Sequence, residues 1–167
     1  YRPVAVLTAV LAVSCSAPDD GPVASQAPSI HAQRIVSLAP HLTELVYSAG
    51  AGERLVGVVE YSDFPAAATT LPRVGGAFRV DMGRLVRLDP DLVLAWSGGS
   101  PSGLIEQIVA LGFRVVDLTP SSLADIAAHL ETIGSLAGTE VVAGEQAAAF
   151  RQRLQNLQDA HADAAPI

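Results

Sequence analysis

The chain contains no lysine. All ten of its basic residues are arginine, set against 17 acidic residues for a net charge of −7. An acidic chain without a basic stripe cannot displace counterions from phosphate efficiently, which excludes a non-specific nucleic-acid binder. Without lysine there is no G-x-x-x-x-G-K-[ST] phosphate loop, and no G-x-G-x-x-G follows the first apolar run, so the dinucleotide reading has no support. Cys15 is the single cysteine, which rules out a disulfide within the chain. No serine sits in G-x-S-x-G; "GGSPSG" misses it by register. His31, His41, His129 and His161 show no H-x-x-x-H spacing, so no metal and no cofactor are expected. Asp63 and His41 are acid–base types, but nothing supplies a nucleophile beside them. The expectation is a chain that is not an enzyme and has no catalytic residues.

Long apolar runs are also missing. The longest, in "RPVAVLTAVLAVSC", is shorter than the roughly 20 residues that a membrane-spanning helix needs. One basic residue, a short run of Val, Ala and Leu, and small residues before Cys15 fit a secretory signal. The stretch resembles the lipobox of bacterial lipoproteins, with Ala12 where leucine is usual. Residues 1–15 are therefore read as signal peptide and lipobox, with Cys15 as the lipidated residue. With no initiator methionine and a one-residue basic region, the start is read as incomplete. Residues 16–33, rich in Pro, Ser, Ala and Asp, are read as a flexible tether. The location implied is periplasmic or extracytoplasmic, with a membrane anchor if Cys15 is acylated.

What is present is a strongly patterned remainder. Half of all residues are apolar and 16% are charged, a globular composition. "RIVSLA", "LVGVVEYS", "DLVLAW" and "FRVVDL" are short, nearly continuous apolar runs of strand type. Between them, "HLTELVYSAGAG", "DMGRLVRL" and "PSGLIEQIVALG" carry helical spacing, with Pro101 opening the last and Gly112 closing it. "SSLADIAAHLETIGSLAG" opens on a capping-box-like Ser122 and Asp125 pair. "TEVVAGEQAAAFRQRLQNLQDAHADAA" is one long helix, with Val142, Phe150, Leu154, Leu157 and His161 near one stripe. Alternating buried strands and helices predict an α/β fold, a Rossmann-like parallel sheet with helices on both faces. The predicted divisions are an α/β lobe over residues 34–138 and a long helix over 139–163.

In open parallel sheets ligands bind beyond the carboxyl ends of the strands. Those ends read "APH", "EYSDFP", "WSGGS" and "TPSS", presenting His41, Tyr61, Phe64, Trp96 and a set of hydroxyls. Such a rim suits a large, partly apolar ligand with amide or hydroxyl edges. Gly98 and Gly99 would keep the loop after Trp96 low. Packing readings stand beside these: Tyr61 and Trp96 as plugs of the sheet end, and His41 as a helix-start residue.

"RIVSLAPHLTELVYSAGAGERLVGVVEYSDFP" followed by "LPRVGGAFRVDMGRLVRLDPDLVLAW" resembles the helical-backbone (class III) solute-binding proteins of cobalamin and iron-siderophore ABC importers, nearest to the cobalamin branch, over about residues 34–160. The resemblance implies two α/β lobes joined by a rigid helix, a ligand held between them without catalysis, and delivery to a permease driven by its ATPase. It implies that this chain is the N-terminal lobe, with a C-terminal lobe absent. Carried over by position, Tyr61 and Trp96 would line a cleft for cobalamin or a related corrinoid. A family tryptophan falls at Ala77 or Phe78, and Phe78 would replace its stacking surface. A glutamate that docks on the permease falls at Gly83, leaving Asp81 as the substitute. The alternatives are a ferric-siderophore or haem binder of the same fold, an α/β enzyme whose site lies in the missing half, and a stand-alone interaction module.

Overall fold

The computed structural model describes residues 31–76 and 79–162. In chain order its elements are β1 (Ile35–Ser37), α1 (Pro40–Ser48), β2 (Leu55–Val58), β3 (Gly75–Gly76), β4 (Arg79–Val80), α2 (Met82–Leu88), β5 (Leu92–Ala95), α3 (Leu104–Ala110), β6 (Val115–Asp117), α4 (Ala124–Ala137) and α5 (Glu140–Ala160). All four predicted strands form one parallel sheet in the order β2-β1-β5-β6. The antiparallel pair β3-β4 was not foreseen, because two-residue strands carry no periodicity to read.

Side-chain alternation along the strands divides the interior into two layers. Ile35, Leu92 and Leu94 face Leu42 and Val46 of α1, Ala127, Leu130 and Ile133 of α4, and Ala143 and Ala147 of α5. Val36, Val93 and Ala95 face Leu85 of α2 and Leu104 and Ile108 of α3. Each fully buried Leu or Ile contributes roughly 1.5–3 kcal/mol, so these two layers supply the main driving force for folding. The free edge of β2 is covered by residues 72–75, which run into β3. Val58 N donates to Pro72 O at 3.0 Å, Val74 N donates to Val58 O at 2.8 Å, and Glu60 N donates to Gly75 O at 2.7 Å. That cover removes an exposed edge that would otherwise invite pairing with another chain.

Helix boundaries follow local chemistry. Pro101 does not open α3; the chain turns through Gly103, left-handed at φ 79°, and the helix starts at Leu104. At α4 half of a capping box forms. Asp125 accepts from the backbone N–H groups of Ser121 and Ser122 at 2.8 and 2.9 Å and from the Ser121 hydroxyl at 2.8 Å. Those bonds lower its pKa to about 2. No hydroxyl cap answers at the other end of the box. Gly138, left-handed at φ 68°, ends α4 and turns the chain into α5.

The buried face of α5 differs from the stripe that its large apolar residues suggested. Val142, Leu157 and His161 are exposed, whereas Ala143 and Ala147 are fully buried, with Phe150 packed beside them. Small residues win because the two helices approach closely where Gly134 of α4 meets Ala143. A periodicity count weighted toward bulky residues overlooks such a contact. The Arg151–Glu131 pair further along is bidentate, at 2.6 and 2.8 Å, but exposed, so its contribution is small.

Two glycines in this helix pair test the contact. A Cβ at Gly134 would run into Ala143, whereas one at Gly144 meets nothing within 4 Å. Gly134→Ala is expected to destabilise by about 1–3 kcal/mol through overpacking. Gly144→Ala is expected to stabilise by about 0.5–1 kcal/mol through the lower helix cost of alanine. Urea denaturation of the two variants checks both signs.

Candidate functional site

The strand order reverses between β1 and β5. The chain leaves β1 through α1 toward β2, on one face of the sheet, and leaves β5 through α3 toward β6, on the other. Diverging connections open a crevice above the carboxyl ends of these two strands. The crevice is a shallow depression lined by Leu38, Pro40, Tyr61, Gly76, Trp96 and Gly99, among others, with an enclosed volume of only about 70 Å³. Pockets that bury a drug-sized ligand hold roughly 300–1,000 Å³. The depression is a wall rather than a container.

The walls of this crevice are held by three buried hydroxyls, none of which sequence reasoning singled out. Thr43 Oγ1 in α1 lies 3.0 Å from Ser37 Oγ at the end of β1 and 3.2 Å from Ser62 Oγ in the loop after β2. Ser37 Oγ in turn donates to Ala39 O at 2.9 Å. All three residues are fully buried, and an unmade hydrogen bond there would cost about 1–3 kcal/mol. The cluster therefore locks the loops after β1 and β2 to each other and to α1. The readable signals were a threonine on the apolar face of α1, beside Leu42 and Val46, and a serine inside a buried strand.

Tyr61 follows directly. Its backbone is left-handed at φ 66° and its side chain is 80% exposed. A left-handed conformation costs a non-glycine residue roughly 1–2 kcal/mol. Here the buried Ser62 on one side and the strand end on the other leave the ring projecting over the rim. Phe64, two residues beyond its neighbour Ser62, is 67% exposed and lies outside the depression.

Trp96, half-buried, forms the opposite side of the depression. Cβ atoms added at Gly98 and Gly99 would both meet its indole ring, the latter by direct overlap. The two glycines thus make room for the indole itself, which folds back over its own loop. Beyond them, Asp117 accepts from Ser97 N at 3.0 Å and from Thr119 Oγ1 at 2.7 Å, tying the Trp96 loop to the end of β6. Burial pushes the Asp117 carboxyl up, but the bonds from Ser97 and Thr119 outweigh it and leave its pKa below the usual range.

His41 packs on the other side of Trp96, edge-on, with ring centroids 5.0 Å apart and planes at 87°. It lines a separate groove with Glu44, Leu130, Phe150 and Arg153, between α1, α4 and α5. Its Nε2 is buried and has no hydrogen-bond partner among the described residues; the same holds for His129 Nδ1. Desolvation lowers the His41 pKa, nearby His129 lowers it further, and Glu44 opposes both. Asp81 is exposed and caps α2, accepting from Arg84 N at 2.9 Å, a bond that lowers its pKa. Phe78, Ala77 and Cys15 lie outside the described residues. Among the described residues no helix is long and apolar enough to cross a membrane, and no group of three or more His, Cys, Asp or Glu side chains is placed to hold a metal.

A family model for periplasmic binding proteins matches residues 35–166. The chain belongs to the periplasmic binding protein family. Within that family it is 40% identical over 136 residues to the vitamin B12-binding protein of Vibrio cholerae, covering 81% of this chain and 49% of that protein. The crystal structure of the periplasmic vitamin B12 binding protein BtuF of Vibrio cholerae superposes with a TM-score of 0.79 at 40% identity, over 81% of this chain and 53% of that one. A periplasmic heme binding protein from Pseudomonas aeruginosa superposes with a TM-score of 0.70 at 29% identity, over 77% of this chain and 46% of that one. The chain spans about half the length of these periplasmic binding proteins. The α/β lobe expected from the sequence is the fold they share.

The coupling between His41 and Trp96 yields a pH test. A lowered histidine pKa means that the unfolded chain binds the proton more readily, so the stability associated with neutral His41 is fully present above its ordinary value of 6.5 and is lost as pH falls through the folded value. Denaturation midpoints are expected to fall from pH 7.5 to pH 5, with quenching of Trp96, the only tryptophan in the chain. His41→Phe should flatten the part of both profiles due to this residue. An unchanged profile in that variant would remove His41 from the account.

Proposed function

We propose that this chain provides one wall of a solute-binding cleft that captures cobalamin or a related corrinoid outside the cytoplasm and hands it to a membrane permease, with no chemistry at the ligand. The observation that carries this reading is the pairing of Tyr61 and Trp96 on opposite sides of the crevice between β1 and β5. Two aromatic surfaces on a rim of hydroxyls and backbone groups suit a broad, partly apolar ligand with amide edges. Likeness to vitamin B12-binding proteins at 40% identity supports that class over haem, for which the likeness is 29%.

The small enclosed volume fits this reading, since a corrinoid needs a second wall. We place that wall on a further lobe of the natural protein, reached through α5, as the resemblance implies. Phe78 would extend the aromatic surface. In the proposed docking step Asp81, exposed and kept ionised by its capping bond, would steer the loaded protein toward a basic permease face. Acylation of Cys15 would hold the whole near the membrane.

Calorimetric titration of the intact natural protein with cyanocobalamin should give sub-micromolar binding. Trp96→Ala and Tyr61→Ala should each weaken it about tenfold or more, equivalent to about 1.4 kcal/mol. Absence of binding, with hemin bound tightly instead, would replace the corrinoid reading with the haem one. Residues 34–160 alone should bind cyanocobalamin far more weakly than the intact protein, and equal affinity would overturn the two-wall arrangement.

A further inference from the structure

Tyr61 occupies a backbone conformation that favours glycine, yet it carries one of the two rim aromatics. A strained, exposed tyrosine persists only if its surroundings hold the turn. The turn's own closing bond is weak: Ser62 N donates to Val59 O at 3.4 Å. The stronger restraint comes from eleven residues later. Arg73 Nη1 donates to both carbonyls that flank the turn, Val59 O at 3.2 Å and Ser62 O at 3.1 Å. Its Nη2 lies 3.6 Å from Asp63 Oδ1, but that carboxylate is 72% exposed and the pair adds little by itself. The Arg73 side chain is only 21% exposed, so its bonds to the two carbonyls are charge-assisted in a partly desolvated setting.

The arginine is itself fixed in place. Its backbone runs beside β2 through the bridge to Val58, and its carbonyl accepts from the guanidinium of Arg84. Arg84 sits on the first turn of α2, whose N-cap is Asp81. A chain of contacts thus runs from α2 through Arg84 and Arg73 to the Tyr61 turn.

We propose that Arg73 is a positioning residue: it clamps the Val59–Ser62 turn so that Tyr61 is presented to the ligand, without touching the ligand itself. Its fork geometry matters, because one planar guanidinium spans two carbonyls and a carboxylate at fixed angles. The proposal rests on the corrinoid reading of the rim for its ligand, but the clamp has a signature that needs no ligand.

Arg73→Gln and Arg73→Lys, made in the intact natural protein, test it in two ways. Hydrogen exchange without ligand should rise over residues 59–64 in Arg73→Gln, with α4 and α5 unchanged, and should rise less in Arg73→Lys. Cyanocobalamin affinity should fall roughly tenfold in Arg73→Gln and be partly rescued in Arg73→Lys. In a Tyr61→Ala background Arg73→Gln should cost less than twofold more, because the residue acts through the tyrosine. Wild-type exchange over residues 59–64 in both variants would overturn the clamp, as would an equally large affinity loss with Tyr61 already removed. If the wild-type protein does not bind cyanocobalamin, the corrinoid reading falls while the exchange measurement still decides the clamp. If Arg73→Gln does not fold, the exchange and affinity of Arg73→Lys decide it, and wild-type values for both would overturn it.

Discussion

The candidate site depends on a small buried cluster of hydroxyls. Ser37, Thr43 and Ser62 come from β1, α1 and the loop after β2, and they meet at the carboxyl ends of the strands. Polar groups removed from water must satisfy one another, and they do so only within narrow distances and angles. That requirement makes the cluster a better locator than apolar packing, which tolerates sliding. The start of α1 and the relative height of two neighbouring loops follow from it, and through Ser62 it anchors one side of the left-handed Tyr61 turn.

The other side of the crevice is organised by a different principle. Trp96 is seated by the absence of side chains at Gly98 and Gly99 and by the edge of His41, while the Asp117 network ties its loop to β6. One wall is thus held by buried hydrogen bonds, and the other by shape together with the Asp117 bonds. Both leave an aromatic facing the same depression. Such a surface recognises by contact area and edge polarity, which accords with a family of binding proteins.

The alternation of apolar strands and amphipathic helices was legible because burial on both faces of a parallel sheet leaves nearly unbroken apolar runs. From the same runs the strand ends could be marked, and with them Tyr61, Trp96 and His41. Phe64 was marked by the same rule but stands outside the depression, since the rule identifies a loop and not a direction. The face of α5 was misjudged because its contact with α4 uses alanine and glycine, which no count of bulky residues detects. Arg73 was seen only as one of ten scattered arginines; nothing local links it to a turn that closes eleven residues earlier.

The sequence by itself determined the fold class, the family and which loops stand at the carboxyl ends of the strands, because those depend on patterns repeated along the chain and on motif residues in a set order. Tertiary structure alone decided which of the marked aromatics share a crevice, that His41 belongs to a separate groove, and that Arg73 and three hydroxyls hold the rim in shape. These outcomes rest on hydrogen bonds and contacts between residues far apart in the chain, whose geometry exists only once the sheet has brought the strand ends side by side.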